Sequence, residues 1–129
     1  MSDKKCTYSI QPVIEVNITS QDINDIMVCA LEGGINYWCR QAKVVGKYLG
    51  EYASDQISCG GTLKLYDAES SDVWELTLDK FLNGMKLAIE QGIGLSVNPA
   101  DGSIDTCEID ADAADAIVQL ALFGEVVFG

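Results

Sequence analysis

Apolar residues recur at two different periods along this chain, and that change of period limits it to a fold that mixes helices with strands. Ile23, Ile26, Met27, Ala30 and Leu31 fall at the i, i+3, i+4, i+7, i+8 spacing of one buried helical stripe. Thr19 or Ser20 can cap that helix, Asp22 suits the positive end of its dipole, and Gly33-Gly34 ends it, so a helix is predicted over 20–32. A second helix, over 78–91, follows from Thr77 as cap, the stripe Leu78, Phe81, Leu82, Met85, Ala88, Ile89, and Gly92 past its end. A third runs from a cap at Asp110 to Phe123, with Ile117, Val118, Leu120 and Ala121 as core candidates. The period shortens to two in Thr62–Tyr66 and Val73–Thr77, which read as a hairpin across the polar residues 67–72.

The remaining segments are less sharply written. Val13, Ile14, Val16 and Ile18 read as a first strand and Ile35–Val45 as a second, although Arg40-Gln41-Ala42-Lys43 also suits a helix. Gly46–Gly61 is a short helix or structured loop, and 92–109 a long loop. The apolar end Glu125–Gly129 is expected to pack, as a final strand or against a partner subunit. With 129 residues and 48% hydrophobic content the chain suits one core. The reading is a flexible segment over 1–10 and a single α+β domain over 11–129, a mostly antiparallel sheet covered by about three helices.

Charge narrows the partners. Eight basic residues stand against 20 acidic ones, a net charge of -12, which opposes direct binding to nucleic acid or to anionic membranes. No apolar run approaches the roughly 18 residues of a membrane span, and Met1-Ser2-Asp3-Lys4-Lys5 leads into no signal-peptide core, so a soluble, cytoplasmic protein is expected. Cys6, Cys29, Cys39, Cys59 and Cys107 are odd in number and scattered, which suits free thiols rather than a disulfide framework; Cys29 falls on an apolar helical stretch as a small hydrophobe.

No catalytic or cofactor pattern emerges, and no cofactor is expected. Histidine is absent, so neither a nucleophile–base pair nor a zinc site has its usual members. Asp101–Glu108 has a faint calcium-loop spacing, but Val97 and Pro99 would occupy the first and third ligand positions and offer no side-chain oxygen. Gly33-Gly34 and Gly60-Gly61 lack the phosphate-loop context.

One stretch breaks the acidic pattern. From Gly33 to Gly50 there are Arg40, Lys43 and Lys47 and no Asp or Glu, and Tyr37, Trp38 and Tyr48 accompany them, with Tyr52 close behind. Each ring taken singly suits a core, and the three cations could pair with surplus acids. Together they fit a small anionic nucleotide-like ligand, with Tyr37 and Trp38 stacking on a base and Arg40, Lys43 and Lys47 on phosphate.

Asp22-Ile23, Asp25-Ile26, the run Ala30-Leu31-Glu32-Gly33-Gly34-Ile35-Asn36-Tyr37-Trp38 and the end Ala114–Gly129 resemble a family of small proteins encoded by bacteriophages and prophages, across most of residues 13–129. The resemblance implies a host bacterial cytoplasm and carries over no site residues. By analogy with small phage proteins that counter host immunity, it leads to a homo-oligomer that sequesters a nucleotide immune signal. The alternatives are an acidic inhibitor of a basic host effector, such as a CRISPR effector, in which Asp101, Asp105, Glu108, Asp110, Asp112 and Asp115 imitate phosphates, or a structural phage protein without a ligand.

Overall fold

A computed structural model of the chain describes residues 6–129, without the side chain of Glu108. The flexible segment expected over 1–10 therefore lies half outside the described residues, and 6–10 are exposed and form no helix or strand. The architecture is α+β. Three helices, α1 (Ser20–Cys29), α2 (Leu78–Glu90) and α3 (Ala111–Phe123), accompany a three-stranded antiparallel sheet of β1 (Cys39–Val44), β2 (Leu63–Asp67) and β3 (Val73–Leu76), in the order β1-β2-β3. A two-stranded sheet, β4 (Ser96–Val97) with β5 (Ile104–Asp105), lies in the expected loop 92–109.

The helices start where side chains satisfy free backbone N–H groups. The Thr19 hydroxyl accepts from the N–H of Asp22 while the Asp22 carboxylate accepts from the N–H of Thr19, a reciprocal capping box. Thr77 caps α2 through the N–H of Lys80, and Asp110 caps α3 through the N–H of Ala113. α1 does not run regularly to residue 32: its last turn widens into a π turn over Ala30–Gly34, where a Cβ on Gly34 would come within 2.7 Å of the Ala111 carbonyl oxygen. Gly84 does similar work in α2, whose backbone lies so close to α3 that a Cβ would meet the Ile117 carbonyl oxygen at 2.6 Å and the Ala121 Cβ at 2.8 Å. Phe81, Met85 and Ala88 fill the same seam, and with Ile26, Met27, Leu63, Leu65, Leu76 and Ile117 they are fully buried in one core.

Three strand expectations are corrected. Residues 13–18 form no strand and pair with none among the described residues, because alternation supplies a face and not a ladder partner. Their anchor is a pair of bonds to one turn, Asn17 N–H to the Gly102 carbonyl (2.8 Å) and Asn17 Nδ2 to the Asp101 carbonyl (2.9 Å). The second strand begins at Cys39 rather than Ile35, since Ile35–Trp38 are used in the turn that closes the π segment. Glu125–Gly129 forms no strand and instead packs Phe128 against the core of its own chain. The loop 46–61 holds a single 3-10 turn, Ala53–Asp55, and is tied by the buried Gln56, which accepts from the Leu49 N–H (3.0 Å) and donates to the Lys47 carbonyl (3.2 Å).

Candidate functional site

The pleat of the three-stranded sheet sorts its side chains into two layers. Ala42, Val44, Leu63, Leu65, Trp74 and Leu76 turn toward the helices. Gln41, Lys43, Lys64, Tyr66, Val73 and Glu75 therefore share the opposite, outward face. An irregularity between Cys39 and Gln41 displaces Arg40 from strict alternation, and its guanidinium carbon lies 5.1 Å from the centre of the Tyr66 ring while Nε donates to the Asp67 carbonyl at 3.1 Å. Lys43 is directly opposite Lys64, which is in turn opposite Glu75. Like charges placed across a ladder repel.

The surroundings of Arg40 are fixed by its neighbours. Asp67, buried at 8%, receives the backbone N–H of Glu69 at 3.1 Å, and hydrogen bonds led by the Ser70 side chain hold its carboxyl below the usual carboxylate range. The carbonyl that Arg40 meets is thus part of a tightly tied turn. Beside the strand edge is a cleft of about 270 Å³, with Leu31, Ile35 and Cys39 as apolar walls and Asn36, Arg40 and Gln41 among its polar lining. Burial pushes the Cys39 thiol up, and its Sγ donates to the Gln41 carbonyl at 3.2 Å.

The structure separates the five residues that the sequence grouped. Arg40 and Lys43 share β1 with an exposed face. Lys47 lies beyond the strand, exposed in the bend that Gln56 ties down. Trp38 is corrected from ligand-stacking to core: it is 2% exposed, one ring face is covered by Phe128 at 5.0 Å and an interplanar angle of 5°, and its edge meets Trp74 and Phe123. Tyr37 is half exposed, but its hydroxyl is committed to Asp115 at 2.5 Å. Desolvation, reinforced by that carboxylate, pushes the Tyr37 phenol up to about 12. Tyr48 and Tyr52, which singly suited a core, are exposed.

Sequence reasoning missed both the partners of the basic face and the group that organises the rings. Lys64 and Tyr66 were readable from the alternation Leu63-Lys64-Leu65-Tyr66, which sends them to the side opposite the leucines. Asp115 is buried on α3, where it accepts from Trp38 Nε1 (2.7 Å), Tyr37 Oη and Gln119 Nε2 (2.9 Å). Its signal was a polar pair, Asp115 and Gln119, spaced i, i+4 on an otherwise apolar helical face. Among the described residues no group of three or more His, Cys, Asp or Glu is placed to hold a metal ion, and no helix is long and apolar enough to cross a membrane. The chain matches no protein-family model, no curated protein and no solved structure.

Proposed function

We propose that the protein binds a small anionic, nucleotide-like ligand on the outward face of the sheet, as a phage accessory protein that withdraws an immune signal from its host. The observation that carries the reading is one outward sheet face that holds Lys43, Lys64 and Tyr66, with Arg40 over the Tyr66 ring and the two lysines directly opposed, in a chain whose acids outnumber its bases 20 to 8. An arrangement that repels itself when empty gains most from an anion, and an aromatic ring beside cations offers a base a surface to stack on. Tyr66 thus takes the stacking role that Trp38 cannot, and the cleft beside Arg40 gives part of the ligand a recess.

The acidic-mimic reading is less well supported. Asp115 is buried, and Asp101, Asp105 and Asp110 each turn a carboxylate oxygen onto a nearby backbone N–H, of Ser103, Cys107 and Ala113.

Calorimetry against a panel of cyclic dinucleotides and cyclic ADP-ribose isomers tests the proposal, and saturable heat with one of them is expected. Lys43→Glu makes the test sharper. It should stabilise the fold by about 0.2–1 kcal/mol by pairing with Lys64, yet weaken capture roughly tenfold to a hundredfold through the loss of one charge-assisted bond. No heat with any member of the panel, or capture untouched by both Lys43→Glu and Arg40→Glu, would defeat it.

A further inference from the structure

The register of the sheet fixes which main-chain groups of β1 are left open. The Val45 N–H donates to the Thr62 carbonyl at 3.1 Å, one step past the pairing of Val44 with Leu63. In an antiparallel ladder bonded pairs alternate with unbonded ones, so Lys43 and Gln41 also bond toward β2, and the N–H and C=O groups of Ala42 and Val44 point away from it. The far side of β2 agrees. There the Asp67 N–H donates to the Asp72 carbonyl at 3.0 Å, and the same count turns Leu65, the partner of Ala42, toward β3. Among the described residues no hydrogen bond from outside the ladder reaches the main chain of Ala42 or Val44.

Ala42 is also one wall of the cleft of about 270 Å³ beside Arg40. The turn Ala53–Asp55 packs on β1 and brings Ala53 to the same cleft, so the space beside Ala42 is a recess and not a clear edge along which another strand could run. Leu31 and Ile35 give the recess apolar sides. The side-chain amides of Asn36 and Gln41, each both donor and acceptor, line it too, and neither has a hydrogen-bond partner among the described residues. No carboxylate lines it, in a chain with 20 acids. Apolar walls for a flat ring, with donors and acceptors for its edge, are what a nucleobase asks of a site. The volume suits one base and not a whole ligand, since sites that enclose drug-sized molecules start at roughly 300 Å³.

The outward face already offers a place for a base at Tyr66, on the ring or on the guanidinium over it, and one base cannot fill both places. Arg40 belongs to both: it lies over Tyr66 and lines the cleft, and among the described residues only its Nε is committed, to the Asp67 carbonyl. Its remaining donors stand where a phosphate joining two nucleosides would lie. Resting on the reading that this face binds a nucleotide-like anion, we propose that the ligand is a dinucleotide: one base stacks at Tyr66, the other enters the cleft edge-on against the free N–H and C=O of Ala42, and the phosphate between them meets Arg40. The cleft then selects the base, because hydrogen-bonding edges differ between bases, whereas every base has a face to stack.

Calorimetry and amide NMR on the full chain test this, with cyclic dinucleotides, the corresponding 5′-mononucleotides and cyclic ADP-ribose isomers as probes. At least one cyclic dinucleotide should bind about a hundredfold tighter than its mononucleotides, as joining two half-sites allows. Its addition should move the amide resonance of Ala42 and the side-chain amide of Asn36. Asn36→Leu should weaken it roughly fivefold to tenfold, and Tyr66→Leu about tenfold or more. Asn36 is exposed, so the fold should tolerate leucine there; if it does not, the Ala42 resonance of the wild type decides alone. A mononucleotide or cyclic ADP-ribose isomer held as tightly as any dinucleotide, a bound dinucleotide that leaves the Ala42 amide unmoved, or an affinity indifferent to a folded Asn36→Leu would overturn the dinucleotide and leave the anion-binding face standing. Binding of no probe at all would remove both.

Discussion

The two ends of the described chain are both rich in β-branched and aromatic residues, yet one is bound into the fold and the other stands outside it. At the C-terminal end the N–H groups of Val127 and Phe128 both donate to Gln119 Oε1 at 2.7 Å, while the Phe128 carbonyl accepts from Gln119 Nε2 at 3.1 Å. A buried side-chain amide on α3 thus plays the part that a neighbouring peptide group plays in a sheet, offering an acceptor and a donor to a strand-like segment. Phe128 can then enter the cluster of Trp38, Trp74 and Phe123 without stranding its backbone. The N-terminal arm, residues 6–16, has comparable side chains and no such host. Apolarity makes a terminal run seek cover; a polar partner for its backbone decides whether the cover comes from its own chain.

The comparison breaks most completely if Gln119 is removed. Gln119→Leu should free the last residues, so that the C-terminal end resembles the arm, at a cost of about 3 kcal/mol from the lost Phe128 packing and the bonds to Asp115 and the tail. Urea unfolding gives the energy, and hydrogen exchange at the Val127 and Phe128 amides should lose its protection. An unchanged midpoint would show that the amide is not what holds the tail. Phe128→Ala separates packing from hydrogen bonding: part-buried as the ring is, about 2 kcal/mol is expected, less than for a fully enclosed phenylalanine. Retained protection at residue 127 would locate the hold in Gln119 itself. The smallest effect falls on the other end. Val13→Ser, at a side chain 98% exposed, should change the unfolding free energy by less than about 0.5 kcal/mol. A clear loss would mean that the arm already packs on its own chain.

Legibility followed the range of the interactions. The caps at Thr19, Thr77 and Asp110, the three helices and the hairpin are decided within a few residues, and all appear where the pattern puts them except the last turn of α1. The candidate site was only half readable for the same reason. Tyr37, Trp38 and Arg40 are contiguous in sequence, but the turn and the strand irregularity send Trp38 into the core and Arg40 to the outward face. Their actual neighbours, Asp115 for the first and Tyr66 for the second, come from distant elements that local periodicity does not bring together. The unpaired arm and the widened turn at Ala30–Gly34 likewise depend on what lies across from them, a Gly102 turn in one case and the Ala111 carbonyl in the other.

The contact at Gly84 has a mechanical consequence. Because nothing larger than hydrogen stands between α2 and the Ile117 carbonyl, a push on the outer side of α2 meets no yielding layer of side chains before it reaches α3. From α3 the load passes by hydrogen bonds of 2.9 Å and 2.7 Å, from Gln119 to Asp115 and from Asp115 to Trp38, to the residue that immediately precedes β1. One run of close contacts thus leads from α2 through α3 to the start of β1.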